Sequence, residues 1–361
     1  MEGSTIQWQK LRKSKTAMAG IIVILLATLI AITCYWISPD CTPDANRMQV
    51  EIAGKKPGFT QTFFLLPKTP RPPERNWWQR TLHGQPDSCQ FIPITAHEVN
   101  DTAFILDRYI DDGISEKMNV PLNQLNGAVV DRTIHRTFWL GTDKFGRDIL
   151  SRLLIGTRIS LLVGAVAMLI SLVIGTLLGA IAGYFGGRAD SIIMWFINVI
   201  WSIPTLLLVF AITLLLGKGF WQVFIAVGLT MWVNVARLVR GQVLQVRNLE
   251  YVQAAKVMGF NNLRIILHHI LPNILGPVMV LAASNFASAI VIEAGLSFLG
   301  VGVQPPQPSW GGMIRDNYNF IITNNPFLAL VPGFAIMLLV LAFNLLGNAI
   351  RDMLDIRETN P

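Results

Sequence analysis

Six apolar runs constrain the fold of this chain more than anything else in it. They lie at about 17–37, 159–185, 192–216, 220–236, 274–296 and 327–350. All but the short fourth run reach the roughly 20 residues an α-helix needs to cross about 30 Å of hydrocarbon. A helix satisfies its own backbone polar groups in lipid, so runs of this kind read as membrane spans. Composition agrees, with 52% hydrophobic and 14% charged residues, against about 25% charged in an average soluble domain. The expected fold class is an all-α integral membrane protein of about six transmembrane helices, with a large insertion after the first.

The charge pattern orients those spans. The tail at 1–16 carries Lys10, Arg12, Lys13 and Lys15 against Glu2. The loop at 237–273 carries Arg237, Arg240, Arg247, Lys256 and Arg264 against Glu250. Basic residues beside spans mark the cytoplasmic side. With six spans, both termini (1–16 and 351–361) and the loop at 237–273 then lie inside, and 38–138 lies outside. The excess of seven positive charges is thereby explained by topology, not by nucleic-acid binding. The first run follows a basic tail as a signal peptide would. It is too long for that reading and lacks an A-x-A site, so it reads as an uncleaved anchor.

The insertion at 38–138 holds 11 Lys/Arg against 12 Asp/Glu, many prolines and the pair Trp77–Trp78. It reads as a small external domain or a cap. Cys41 and Cys89 fall within it and Cys34 ends the first run. A Cys41–Cys89 disulfide and two free thiols both remain open. His83, His97 and His135 are too scattered to suggest a metal site.

At 139–158, Ile149, Leu150, Leu153 and Leu154 share one helical face, with Asp148, Ser151 and Arg152 opposite. That pattern predicts an amphipathic helix lying against the membrane before the second span. Within 159–185, Gly175, Gly179 and Gly183 recur every four residues, the spacing of close helix approach. Pro204 is expected to kink the third span. Glu293 is an acid inside an apolar run. It is a pathway candidate by default; snorkelling or pairing with an arginine are its structural readings.

Between the fourth and fifth spans, 248–273 forms a polar, basic island. Asn248 can cap a helix with Glu250 in its first turn. Ala254 and Ala255 are expected to give that helix a bare docking face, and Gly259 to stop it. Asn261 or Asn262 can cap a second helix over 263–270, ending before Pro272. His268 and His269 are adjacent and lack the i, i+4 spacing of shared metal ligation. The chain has no G-x-x-x-x-G-K-[ST] phosphate loop, no H-E-x-x-H and no G-x-S-x-G. Energy for uphill movement would therefore enter from a partner.

The island resembles the cytoplasmic signature of ABC-importer permeases: EAA, three residues, Gly, a spacer, then L-P. Here it reads Gln253–Ala254–Ala255, Gly259 and Leu271–Pro272, with Gln253 in place of the acid. Two further stretches narrow the resemblance to the dipeptide/oligopeptide permease family. One is LGTD…GRD…SR…GTRIS from Leu140 to Ser160; the other is GLSFLGVGVQPPQPSWGG from Gly295 to Gly312. The resemblance implies a five-span permease core over 159–350 and a coupling helix that seats in an ATPase subunit. Its coupling residues would be Glu250, Tyr251, Gln253, Ala254, Ala255, Gly259, Leu271 and Pro272.

It further implies a second permease subunit, two ATPase subunits holding ATP and Mg, an extracytoplasmic substrate-binding protein and a peptide substrate, in a bacterial inner membrane. The chain itself would bind no cofactor and be no enzyme. Nickel chelates, glutathione and oligosaccharides are alternative cargoes. A membrane-anchored sensor would account for 38–138 and leave the island unexplained.

Overall fold

The computed structural model describes residues 14–100, 103–121, 132–217, 219–322 and 325–354. The basic residues Lys10, Arg12 and Lys13 and the tail from 355 onward lie outside the described residues. In chain order, helix α1 is Lys15–Ile37, strand β1 Phe59–Pro67, α2 Trp77–His83 and β2 Cys89–Val99. Strands β3 Ala103–Asp111, β4 Ile114–Pro121 and β5 Thr133–Phe138 follow. Then come α3 Ile149–Phe185, α4 Gly187–Trp201, α5 Thr205–Leu216 and α6 Phe220–Val246. The chain continues through α7 Glu250–Val257, α8 Asn262–Arg264 and a π-helical turn Ile265–Ile270 to α9 Leu271–Phe298. It closes with α10 Trp310–Asn317 and α11 Phe327–Leu354. Five helical stretches among the described residues are long and apolar enough to cross a membrane, or six if the bent pair α4–α5 is one span.

The chain forms two units, the first built from Met1–Thr28, Ser160–Gln304 and Ala335–Pro361. In this helical unit, packing depends on bare backbone surfaces. A Cβ at Gly175 would lie 2.4 Å from Val235 Cβ, one at Gly179 2.5 Å from the Ala236 carbonyl oxygen, and one at Gly183 2.8 Å from Val243 Cβ. The expected small-residue stripe on α3 is therefore a groove filled by a ridge on α6. Hydrocarbon offers no hydrophobic drive for helix association, so such close contact supplies the attraction. Gly20 of α1 likewise faces the Ala342 carbonyl of α11, and Phe286 of α9 stacks on Phe343 of α11 at 3.8 Å.

Pro204 does more than kink its span. It is the residue just before α5, and α4 and α5 meet at 93°. Proline lacks the N–H and crowds the preceding turn, so the helix stops and restarts. The span also begins earlier than expected, at Gly187, and the short fourth run extends to Val246.

The second unit, Leu29–Ile159 with Pro305–Phe334, departs from an all-α description. Its antiparallel sheet has the order β4-β3-β2-β1-β5. Successive Phe63 and Phe64 of β1 point to opposite faces: Phe64 packs with Phe104 and Leu106, Phe63 with Ile52 and Phe138. The two-residue loop Asp112–Gly113, with Gly113 at φ 81°, joins β3 to β4. Cys34, Cys41 and Cys89 are all free thiols.

The amphipathic segment at 139–158 is not a separate interfacial helix. Its helical part is the start of α3, which runs unbroken into the span. Asp148, Ser151 and Arg152, expected opposite the buried face, are themselves buried. Asp148 caps α3, accepting a 2.9 Å bond from the Ser151 N–H and a second bond from its hydroxyl. Burial pushes its carboxyl above the ordinary 3.8. Arg147 donates from Nε to Asp143 at 2.6 Å and approaches Asp316 at 3.6 Å. The charges pair with one another, which is why a segment this polar can be inside. Gly156 of α3 faces the Trp310 ring, whose Nε1 donates to the Leu153 carbonyl at 3.1 Å. Two motifs far apart in sequence are thus one packing unit.

Candidate functional site

The island at 248–273 is a short helix on a fixed platform. Its hydrogen bonds begin with the C-terminal carbonyls of α6, which have no partner within that helix. Asn248 Nδ2 donates to the Leu244 carbonyl at 3.2 Å, and Gln253 Nε2 to the Arg247 carbonyl at 2.9 Å. Asn248 therefore closes the end of α6 and does not cap α7, whose N-cap is Leu249 without a side-chain bond. The residue standing in place of the signature acid acts as a donor. A glutamate carboxylate at 253 has no proton with which to make that bond.

Gly259 stops α7 as expected. Its φ is 77°, its N–H donates to the Lys256 carbonyl and that of Phe260 to the Ala255 carbonyl. That is the left-handed glycine termination of a helix, which non-glycine residues enter at a cost. A side chain at 259 would meet open space, so the requirement there is conformational and not steric.

Below α7 lies an apolar cluster. Val252 and Ala255, the latter 1% exposed, pack with Val239 and Val243 of α6, Ala180 and Tyr184 of α3, and Ile265, Ile266 and Ile270. Tyr184 donates its hydroxyl to Asn262 Oδ1 at 2.8 Å, and Arg247 Nη1 donates to the Gly183 carbonyl at 2.8 Å. The ends of α3 and α6 are thus tied to the island by packing and by hydrogen bonds. Phe260 stacks on His269 at 6.0 Å and lies under Arg264 at 4.4 Å.

Ala254 and Ala255 do not form one bare face. Ala255 points into the cluster and Ala254 outward, since adjacent helical positions are about 100° apart. The outward surface is made by Tyr251, Gln253, Ala254, Val257 and Met258, with Val257 89% and Met258 66% exposed. Glu250 is exposed in the first turn. Exposed Val257 and Met258 beside the small Ala254 leave apolar surface uncovered, with polar Gln253 and Lys256 exposed next to it.

The second helix also differs from expectation. Asn261 caps it, accepting from the Arg264 N–H at 2.8 Å, but it does not end before Pro272. The backbone widens into the π turn at 265–270 and continues as α9, with Leu271 donating to the Ile266 carbonyl five residues back. Pro272 has no N–H to offer, and the wider turn and the bond from Asn273 Nδ2 to the His269 carbonyl at 2.7 Å accommodate it. Leu271 is half-buried against the cluster, whereas Pro272 is exposed.

Of the two span candidates, Glu293 sits 1% exposed in α9. Ser297 donates to its Oε1 at 2.5 Å, and the same hydroxyl accepts the Val303 N–H at 3.1 Å. It is buried and so does not snorkel; it holds the turn after α9. The residues on either side of Pro204, Ile203 and Thr205, line a cavity of about 240 Å³ whose polar lining comes from Thr205 of α5, Thr230 and Asn234 of α6, and Asn285 and Ser288 of α9. Sequence reading passed over these residues, because isolated Asn and Ser barely dent the hydropathy of a span.

Known proteins match this arrangement. A family model described as the inner membrane component of binding-protein-dependent transport systems matches residues 175–359. Another, described as the N-terminal TM domain of oligopeptide transport permease C, matches residues 5–49. A dipeptide transport system permease protein of Alkalihalophilus pseudofirmus is 43% identical over 235 residues, covering 65% of this chain and 75% of the relative. An oligopeptide transport system permease protein of Bacillus subtilis is 40% identical over 225 residues, 62% of this chain and 73% of the relative. A glutathione transport system permease protein of Pectobacterium atrosepticum is 44% identical over 217 residues, 60% and 72%. The chain, whose apolar helices are interrupted by the polar island at 248–273, belongs to the family of inner membrane components of binding-protein-dependent transport systems.

Proposed function

We propose that this chain is the permease subunit of a peptide importer in a bacterial inner membrane, worked by ATP hydrolysis in separate subunits docked on α7. The observation that carries the proposal is the outward face of α7, where exposed Tyr251, Val257 and Met258 stand among polar Gln253 and Lys256, mounted on buried Val252 and Ala255. A force applied there is passed to the ends of α3 and α6 through Tyr184–Asn262 and Arg247–Gly183. ATP favours one state of the machine only through contacts that differ between states, and a rigid lever makes such contacts consequential. Both termini and the island face the cytoplasm by the charge pattern, and the insertion faces outward, toward a substrate-binding protein.

A second permease subunit completes the pathway. The elbow at Pro204, with its Asn234, Asn285 and Ser288 lining, supplies this chain's polar wall. The chain holds no ATP or Mg itself. Peptide cargo is supported by the dipeptide and oligopeptide relatives; the glutathione relative, 44% identical, favours a γ-linked tripeptide as the second reading.

The test uses Val257→Glu with Met258→Glu. Both side chains point away from the fold, so the variant should be inserted and folded normally. It should lose co-purification with the ATPase subunits and lose peptide uptake. Full ATPase association in a correctly folded variant would sink the docking assignment. Competition of labelled dipeptide uptake by glutathione separates the two cargo readings.

A further inference from the structure

In the unit that carries the sheet, four arginines line one cavity of about 640 Å³: Arg71, Arg75, Arg80 and Arg132, against the single acid Glu74. Their arrangement is held by structure. Arg75 Nη1 donates to the His83 and Gly84 carbonyls at 2.7 and 2.9 Å, fixing its guanidinium at the wall. The Arg80 guanidinium lies 4.2 Å over the Trp36 ring, and its Nε is buried without a hydrogen-bond partner.

Trp36 places this cavity at the end of a span, because it lies in the last turn of α1. Its Nε1 donates to Thr81 at 3.0 Å, and Arg158 of α3 donates to the Leu82 carbonyl at 2.9 Å. Helix α2 is therefore pinned beside the point where α1 leaves the apolar layer. It exposes Trp77, Trp78 and Leu82 there. Tryptophan concentrates at the membrane–water boundary, where an amphipathic ring has one side in each medium. Two exposed tryptophans and a leucine on the helix that also carries Arg80 match a surface that offers apolar side chains to lipid tails and guanidinium groups to headgroups.

We propose that this cavity binds the phosphate of an anionic phospholipid, with Trp77 and Trp78 resting in the interface beside it. Guanidinium groups recognise phosphate by charge-assisted, often paired hydrogen bonds. The inference rests on the helices spanning a membrane, and not on which side of it the sheet occupies.

The experiment is native mass spectrometry of the intact, detergent-purified transporter, titrated with phosphatidylglycerol, phosphatidylcholine or inorganic phosphate. The parent should retain phosphatidylglycerol about tenfold better than phosphatidylcholine, a charged hydrogen bond being lost with each weakened contact. Arg71→Gln with Arg80→Gln should erase that preference, and Trp77→Ala with Trp78→Ala should weaken both lipids alike. Arg71 is exposed, so Arg71→Gln alone, at unchanged thermal midpoint, carries the test if the pair fails to fold. Equal retention of the two lipids would overturn the proposal. So would an unchanged preference in the folded arginine variants, full displacement by inorganic phosphate, or preferential retention of polyglutamate, which would mark a protein-docking surface.

Discussion

The groove between α3 and α6 offers the sharpest test of the packing argument. Gly179→Ala adds one methyl group whose carbon would sit 2.5 Å from the Ala236 carbonyl oxygen, 2.9 Å from Val239 Cβ and 3.0 Å from Ala236 Cα. Ordinary contact begins at 3.4 Å, so the helices must part by close to 1 Å. Two of the three obstacles are backbone, which cannot rotate away. A gap of that size forfeits a quarter to a half of each dispersion contact along the seam. For the three valines seated in the groove this sums to roughly 3 kcal/mol, the upper end of what overpacking costs. Gly241→Ala on α6 is the control: an added methyl there meets nothing within 4 Å, and removing a helical glycine gains about 0.5–1 kcal/mol. Thermal midpoints of the two purified variants in one detergent should therefore move in opposite directions. Equal midpoints would refute the seam. Peptide uptake should fall with Gly179→Ala and persist with Gly241→Ala, because the same seam ends at Gly183 beside the island.

Two further outcomes follow from the sheet-bearing unit. Trp310→Ala removes the ring that fills the space at Gly156 and the bond to the Leu153 carbonyl, and should cost about 3–5 kcal/mol. Gly156→Ala should be damaging in the parent and nearly silent in Trp310→Ala, so additive effects in the double variant would deny the contact. Asp148 holds its proton more tightly folded than unfolded, so its contribution is favourable at low pH and lost as pH rises through the raised value. Asp148→Asn keeps the cap and should gain stability relative to the parent as pH rises above the ordinary carboxyl value of 3.8; a pH-independent loss of melting temperature would contradict this.

How much of this was legible in the sequence depends on the range of the forces involved. Apolar runs had to be helices because lipid leaves backbone groups no other partner, and Gly259 had to end α7 because few residues adopt its backbone angle. The insertion was harder to read. Its prolines argued against regular elements, yet Asp112–Gly113 between alternating segments was a hairpin signal that could have revealed β3 and β4.

The candidate site divides in the same way. The position of α7 came from local spacing, whereas its exposed face required knowing which side is covered. Sequence placed Ala254 and Ala255 together; packing against Val239 and Val243 separated them. Gln253 stands where the signature has an acid and is a donor to the end of α6, a role defined by an acceptor six residues earlier.

By itself, then, the sequence determined the apolar spans, the stop at Gly259 and the family resemblance, since each depends on composition or on neighbours along the chain. Only the tertiary structure decided that the charges around Arg147 are buried, that Trp310 sits on Gly156, and that Arg71, Arg75, Arg80 and Arg132 share a cavity. Those facts depend on which distant segments meet. Long-range packing and pairing set that outcome, and no local pattern encodes it.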